Sequence, residues 1–238
     1  MFISDSSIRF FNYIILTAEI ILKMLRKTFM QISPALRGIV QRVKTAEKRM
    51  VTSKAPFITT SDGWTSFYTQ GNRKPGYAAT PPSLFLMHMN QLKREVPSLI
   101  SPQAHFADLG SGLGMTCFTA ATLFDQVTGF EIDARLCAAA EQIASDSKIS
   151  NVQFLNRDFI REALSLYDIL YFYYPFHEGF DEIVGEKLAE LKPGTLIISR
   201  RKRLSRLFNS GMFNRVFPPL NQFSIDCFFT EFFTYLRT

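Results

Sequence analysis

Phe106-Ala107-Asp108-Leu109-Gly110-Ser111-Gly112-Leu113-Gly114 is the stretch whose reading decides the fold. Phe106, Ala107 and Leu109 read as the end of a buried strand that starts at His105. Gly110, Gly112 and Gly114 follow, and glycines there permit a tight turn and close approach of backbone to a ligand. Cys117, Ala120, Ala121 and Leu123 then recur at apolar helical spacing, which predicts a helix over about 114–124. Strand, glycine turn and helix in that order open a nucleotide-binding βα unit. The glycine spacing is G-x-G-x-G, not the G-x-G-x-x-G of a dinucleotide fold, and Asp108 stands two residues before the first glycine.

The downstream sequence repeats the strand–helix alternation. Gln126–Phe130 reads as a second strand with Glu131 at its tip, 23 residues beyond Asp108. An acid at that place can accept hydrogen bonds from both hydroxyls of a ribose. Ala134–Ser147 is an alanine-rich helix, and Val152–Leu155 a third strand running into Asn156-Arg157-Asp158-Phe159. Asp168–Tyr174 is nearly all apolar, as a strand covered on both faces should be. It ends in the turn Tyr173-Tyr174-Pro175-Phe176, at the strand end where doubly wound sheets bind ligands. Phe180–Leu191 reads as a helix, Lys192-Pro193-Gly194 as a turn and Thr195–Ser199 as a fifth strand. Upstream, Leu84–Val96 reads as a helix with Thr80 near its N-cap and Pro81-Pro82 in its first turn. Leu204–Phe213 is expected to form a short helix, and Phe223–Leu236 an antiparallel pair at the sheet edge. The fold class is therefore α/β, a Rossmann-like three-layer α/β/α sandwich with a mostly parallel sheet and an antiparallel C-terminal edge.

Several of these pieces, taken together, resemble the class I S-adenosylmethionine-dependent methyltransferases. They are the glycine turn behind Asp108, Gly129-Phe130-Glu131-Ile132-Asp133, the turn after Tyr171-Phe172-Tyr173, Leu191-Lys192-Pro193-Gly194-Thr195, and Tyr77-Ala78-Ala79-Thr80-Pro81. The resemblance covers Tyr77 to Arg201, about half the chain, and is closer to one group. That group is the small bacterial enzymes related to mitochondrial lysine methyltransferases and, more distantly, to Dot1-like histone lysine methyltransferases. It implies S-adenosylmethionine as cofactor, held by Asp108, Gly110, Ser111, Gly112 and Gly114, by Glu131 and Ile132, and by Asp158 and Phe159. In such enzymes the acid at the position of Asp158 bonds the adenine amine and its neighbour stacks beside the ring. Asp158 is equally suited to capping a helix over Ile160–Leu166, and both roles can coexist.

The resemblance also places Tyr173, Tyr174, Pro175 and Phe176 around the methyl acceptor, with Tyr77 beside them; ordinary strand packing is the other reading of Tyr173. Enzymes that methylate adenine or glutamine amides carry Asp/Asn-Pro-Pro-Tyr/Phe at this turn, whereas here Tyr174 precedes Pro175 and Phe176 follows it. One departure from the close group is Leu113, where that group usually has an acid.

Composition sets the frame around this core. The chain has 238 residues, 47% hydrophobic, with 24 Phe, enough for one large domain or a domain with an extension. Cys117, Cys137 and Cys227 show no pairing or C-x-x-C pattern, which points to a reducing compartment and no structural zinc. His88, His105 and His177 are too scattered to suggest a metal centre, so no metal is expected.

The net charge of +6 is concentrated: residues 23–54 alone carry +8. Residues 8–27 read as an amphipathic helix, with Phe11, Ile14, Ile15, Ala18, Ile21, Leu22 and Leu25 on one side. Its apolar run is too short to span a bilayer, and positive charge follows it, so a secretory signal is not expected. The helix suits either an anionic membrane surface, contacted through residues 8–54, or packing on the core. Ser33-Pro34 should break it, and residues 56–76 read as a loop bearing Trp64, Phe67 and Tyr68, suited to a substrate lid or to pinning on the core.

The expected organisation is a basic helical extension over 1–55, a connector over 56–79 and a cofactor-binding domain over 80–238. The leading functional expectation is methyl transfer to a protein lysine in the cytoplasm, at a membrane surface or away from one. An RNA or small-molecule methyltransferase and a non-catalytic interaction protein are the alternatives, with nucleic acid the less favoured partner.

Overall fold

The computed structural model describes residues 32–52, 79–173, 180–200, 204, 211–217 and 232–238. Apolar runs of four or five residues build the five parallel strands of a sheet. They are β1 (His105–Leu109), β2 (Gln126–Phe130), β3 (Val152–Leu155), β4 (Ile169–Tyr173) and β5 (Leu196–Arg200). Two more strands, β6 (Phe213–Phe217) and β7 (Phe232–Arg237), close one side as an antiparallel edge. The strand order is β3-β2-β1-β4-β5-β7-β6. The order reverses at β1, whose neighbours are β2 and β4, and that reversal opens a crevice above the carboxyl ends of the strands.

Alternation along each strand divides the core in two. Phe106, Ile169, Tyr171, Leu196, Ile198 and Phe232 face one cluster, and Ala107, Leu109, Leu170, Phe172, Ile197 and Tyr235 face the other. Helices α1 (Pro34–Thr52), α2 (Pro82–Glu95), α3 (Met115–Ala120) and α4 (Ala134–Asp146) supply the first face. Helix α5 (Phe180–Ala189) covers the second with Val184 and Leu188. The result is the expected three-layer sandwich, built on both sides of one sheet.

Helix α1 begins at Pro34, a residue suited to the first turn of a helix. Ser33 Oγ accepts a hydrogen bond from the Leu36 N–H at 3.2 Å, supplying the cap. Ile32, Leu36, Ile39 and Val43 recur on one face and are buried in the core cluster. Arg42 reaches Asp146 of α4 at 3.8 Å on the surface. This part of the basic segment is therefore packed against α3 and α4.

Three elements depart from the sequence reading. Helix α2 starts at Pro82 behind an N-cap at Pro81 with no side-chain cap bond, and Thr80 is turned inward instead. The helix expected over Leu204–Phe213 is overtaken at its end, because Phe213 opens β6 and its buried ring is held under the Arg237 guanidinium at 5.3 Å. The edge pair is β6 with β7, whereas the expected pair lay within Phe223–Leu236. A helix pattern and a one-sided strand pattern are hard to separate over ten residues, and here pairing with β7 decides. The amphipathic helix at 8–27, the connector at 56–76, Tyr77 and the turn residues Tyr174, Pro175 and Phe176 lie outside the described residues.

His88 is part of the core. Its Nε2 lies 2.8 Å from Thr234 Oγ1 and its ring stacks on Phe232 at 4.4 Å, tying α2 to β7. Burial pushes its pKa down to about 3, so the ring is neutral.

Candidate functional site

The glycine turn is pinned to the neighbouring strand by its own backbone. The N–H groups of Gly110 and Ser111 both donate to the Phe130 carbonyl, at 2.9 and 2.8 Å, and Gly114 N–H returns to Ser111 O at 2.8 Å. Gly114 has φ +79°, and a Cβ there would lie 2.5 Å from Phe154 Cζ, so both conformation and space demand glycine. The turn thus holds its shape through β2 and β3, whose tips carry the other residues of the site.

Glu131, at the tip of β2, is brought onto the turn. Its Oε2 accepts the Gly112 N–H at 2.7 Å and its Oε1 accepts the Asp133 N–H at 2.9 Å. The residue is 8% exposed, and burial raises its pKa while the two backbone donors pull it back. Each carboxylate oxygen retains acceptor capacity beyond the bond it makes, so two further donors can be received. Asp133 caps α4 by accepting the Arg135 N–H at 2.9 Å. Asn156, leaving β3, donates its amide to the Glu131 and Ile132 carbonyls at 2.9 and 3.0 Å. This holds the β2 tip rigid and leaves the Ile132 side chain outside, 47% exposed.

Asp158 accepts the Ile160 N–H at 3.0 Å and caps a single 3-10 turn, Phe159–Arg161. The helix expected over Ile160–Leu166 is thus broken into two short turns. The Asp158 side chain remains 34% exposed, with Arg161 Nε 3.9 Å from its Oδ2, and retains acceptor capacity for a further donor. Phe159 is buried in the second core cluster beside Leu164 and Tyr167. The apolar surface that faces outward among these residues is Ile132.

Asp108 lies beneath the turn, 3% exposed, with the Cys117 thiol donating to its Oδ2 at 3.6 Å. Burial pushes its pKa up to about 8, offset in part by the thiol and reinforced by the Glu131 charge. Ser111 Oγ, close by, is buried without a hydrogen-bond partner.

Asp108 pairs in register with Tyr171 of β4. The Tyr171 hydroxyl bonds Thr80 Oγ1, and Arg200 Nη1 donates to that same Thr80 oxygen at 3.1 Å. The Arg200 guanidinium stands 5.1 Å over the ring of Tyr173. Strand alternation sets Asp108, Tyr171, Tyr173 and Arg200 on one face, and α2 brings Thr80 over them. Of these, sequence reading named Asp108 and Tyr173 for the site, placed Thr80 at a cap and passed over Tyr171 and Arg200. The missing signal was the period of two, which puts Tyr171 and Arg200 in line with the two that were named.

A raised carboxyl pKa has a consequence for stability. Because the folded pKa of about 8 exceeds the usual carboxylate value, the folded chain holds a proton that the unfolded chain releases. Stability contributed by Asp108 is complete at acid pH and is lost as pH rises toward 8. Asp108→Asn should therefore flatten the fall in unfolding free energy between pH 5 and pH 8, read from urea melts without ligand. An unchanged slope in the variant would contradict the assignment.

The glycine turn, the acid at the β2 tip and this strand order together define the Rossmann-like fold of class I S-adenosylmethionine-dependent methyltransferases. No family model matches the chain. Among curated proteins it is 28% identical, over 144 residues, to a histone-lysine N-methyltransferase specific for H3 lysine-79 from Debaryomyces hansenii. The match covers 50% of this chain and 12% of that relative's length. Among solved structures, an RNA methyltransferase from Salinibacter ruber in complex with S-adenosyl-L-homocysteine is 20% identical. It has a TM-score of 0.48 and covers 66% of this chain and 91% of that one. Magnesium protoporphyrin IX methyltransferase from Synechocystis, with bound S-adenosylmethionine, is 12% identical at a TM-score of 0.48, covering 83% and 97%. At these scores the two structures add nothing to the strand order described above.

Proposed function

We propose that this protein is an S-adenosylmethionine-dependent methyltransferase and that its acceptor is a protein lysine side chain. The observation that carries the cofactor is Glu131, whose carboxylate is held by Gly112 N–H over a glycine turn at the switch point of the sheet. In this reading Glu131 receives both ribose hydroxyls, Asp158 receives the adenine amine and Ile132 covers the adenine face. Gly110, Ser111, Gly112 and Gly114 let the backbone approach, and Ser111 Oγ and Asp108 face the far end of the ligand. When bound, the cofactor supplies a methyl group activated on a sulfonium. The chain's own residues hold that group and the acceptor in line and exclude water.

Lysine as acceptor rests on the Tyr173-Tyr174-Pro175-Phe176 turn and on the partial match to the histone-lysine relative. An aromatic, desolvated wall disfavours the ammonium form and so frees the nitrogen lone pair. RNA is the competing acceptor. It is favoured by the basic residues exposed on α1, among them Arg37 and Lys44. An anionic membrane surface contacted through residues 8–54 would explain the same charge, although among the described residues no helix is long and apolar enough to cross a bilayer.

Labelled S-adenosylmethionine incubated with the protein and a cell lysate distinguishes the acceptors. Label that resists ribonuclease, is lost with protease and is recovered as methyl-lysine is the expected result. Label recovered in RNA or in a small molecule would overturn the lysine assignment while leaving the cofactor assignment intact.

A further inference from the structure

The feature that the proposed function leaves unused is a charged group without a counter-charge among the described residues. Arg200, at the carboxyl end of β5, stands in register with Tyr173 at the end of β4. Its guanidinium lies 5.1 Å over the Tyr173 ring and 5.9 Å from that of Phe232, so two aromatic faces fix its plane. One Nη donates to Thr80 Oγ1, a neutral acceptor. Its Nε is buried and has no hydrogen-bond partner. No carboxylate among the described residues forms an ion pair with it. Asp108, in register with Tyr171 on the adjoining strand, is held largely neutral by burial and does not balance it.

A half-buried guanidinium with an idle, desolvated N–H is costly unless an anion completes it. Planar, forked donors match a carboxylate, which can take Nε and one Nη together. The positive end of α2, beginning just past Thr80, adds to the same field.

Building on the cofactor assignment above, we propose that Arg200, with Thr80 beside it, is the subsite for the α-carboxylate at the amino-acid end of S-adenosylmethionine. The span agrees. Glu131 at the tip of β2 and Arg200 at the tip of β5 are separated by three strand spacings, about 14 Å at roughly 4.8 Å each. The Arg200 guanidinium stands between Tyr173 of β4 and Phe232 of β7. From ribose hydroxyls to carboxylate the ligand is nine bonds long, enough to bridge that gap with a hydrogen bond at either end. The sulfonium then falls above β1 and β4, at the switch point, with Tyr173 beside it. Arg200 is in this account a binding residue; methyl transfer needs no proton from it.

The test pairs a variant with a truncated ligand. S-adenosylhomocysteine carries the carboxylate; 5′-methylthioadenosine keeps nucleoside and sulfur and lacks the amino-acid end. Calorimetry on the full chain should show Arg200→Gln weakening S-adenosylhomocysteine by about 10- to 100-fold, the scale of a charge-assisted hydrogen-bond pair. It should leave 5′-methylthioadenosine within about 3-fold, a change too small for a lost charge-assisted bond. Arg200→Lys, which retains charge without the fork, should fall between on the first ligand. Equal losses for both ligands would mean a general structural defect and overturn the proposal. So would an unchanged affinity for S-adenosylhomocysteine, which would leave the guanidinium to a carboxylate or phosphate on the acceptor. Wild type that binds neither ligand overturns the cofactor assignment itself.

Discussion

Glu131→Ala should lower the affinity for S-adenosylhomocysteine about 100-fold, the largest single loss expected at the site. In the folded chain the Glu131 carboxylate already faces the glycine turn, fixed by Gly112 and Asp133 N–H donors at 2.7 and 2.9 Å. A ligand ribose then meets an acceptor that needs no reorganisation. Two hydroxyl donors to a carboxylate, at about 1.5 kcal/mol or more each, give about 3 kcal/mol. Alanine removes that and also orphans two backbone donors, so the turn itself loosens. Glu131→Gln keeps the size and one acceptor oxygen, and should lose less. An affinity for the alanine variant within about 3-fold of wild type, too small a change for a lost charge-assisted bond, would contradict this role.

Gly114→Val should cost the fold about 3 kcal/mol or more. A left-handed backbone charges a side chain about 1–2 kcal/mol. Overpacking adds about 1–3 kcal/mol where the neighbours cannot retreat. They cannot easily do so here: the new Cβ would sit 2.5 Å from Phe154 Cζ and 3.0 Å from Phe118 Cε2, and those two rings pack edge to face at 5.4 Å. Gly110→Ala is the matched control, with φ +89° but nothing within 4 Å of its Cβ. It should cost only the backbone penalty, about 1–2 kcal/mol. Urea unfolding of the two variants measures the difference; equal stabilities would show that packing on Phe154 is not what reserves position 114 for glycine.

Much of the sheet was legible because buried parallel strands are short apolar runs between turn signals. His105–Leu109, Gln126–Phe130 and Val152–Leu155 coincide with the sequence reading residue for residue. The antiparallel edge was legible as such, but its strands were not: β6 starts at Phe213, ahead of the expected Phe223–Leu236 span, and its register depends on β7, not on local pattern. The cofactor side of the site could be read from Asp108, the glycines and Glu131, whose spacing is dictated by a ligand of fixed size. Thr80 was misread as a cap since a Thr before Pro81-Pro82 satisfies that rule locally. Its inward turn toward Tyr171 is set by α2 docking on the sheet, where Phe85 packs edge to face on Phe106 and Tyr171. Arg200 was hidden in a run of basic residues, Arg200-Arg201-Lys202-Arg203, that reads as a solvated cluster. Only its place in β5 separates it from the rest.

The measurement that bears most directly on the central claim is calorimetric titration of the folded full-length chain with S-adenosylmethionine. The account predicts saturable binding at a single site, abolished or strongly weakened by Glu131→Ala. Absence of binding by folded wild type at about 1 mM ligand, where even an affinity of about −4 kcal/mol would register, would contradict it.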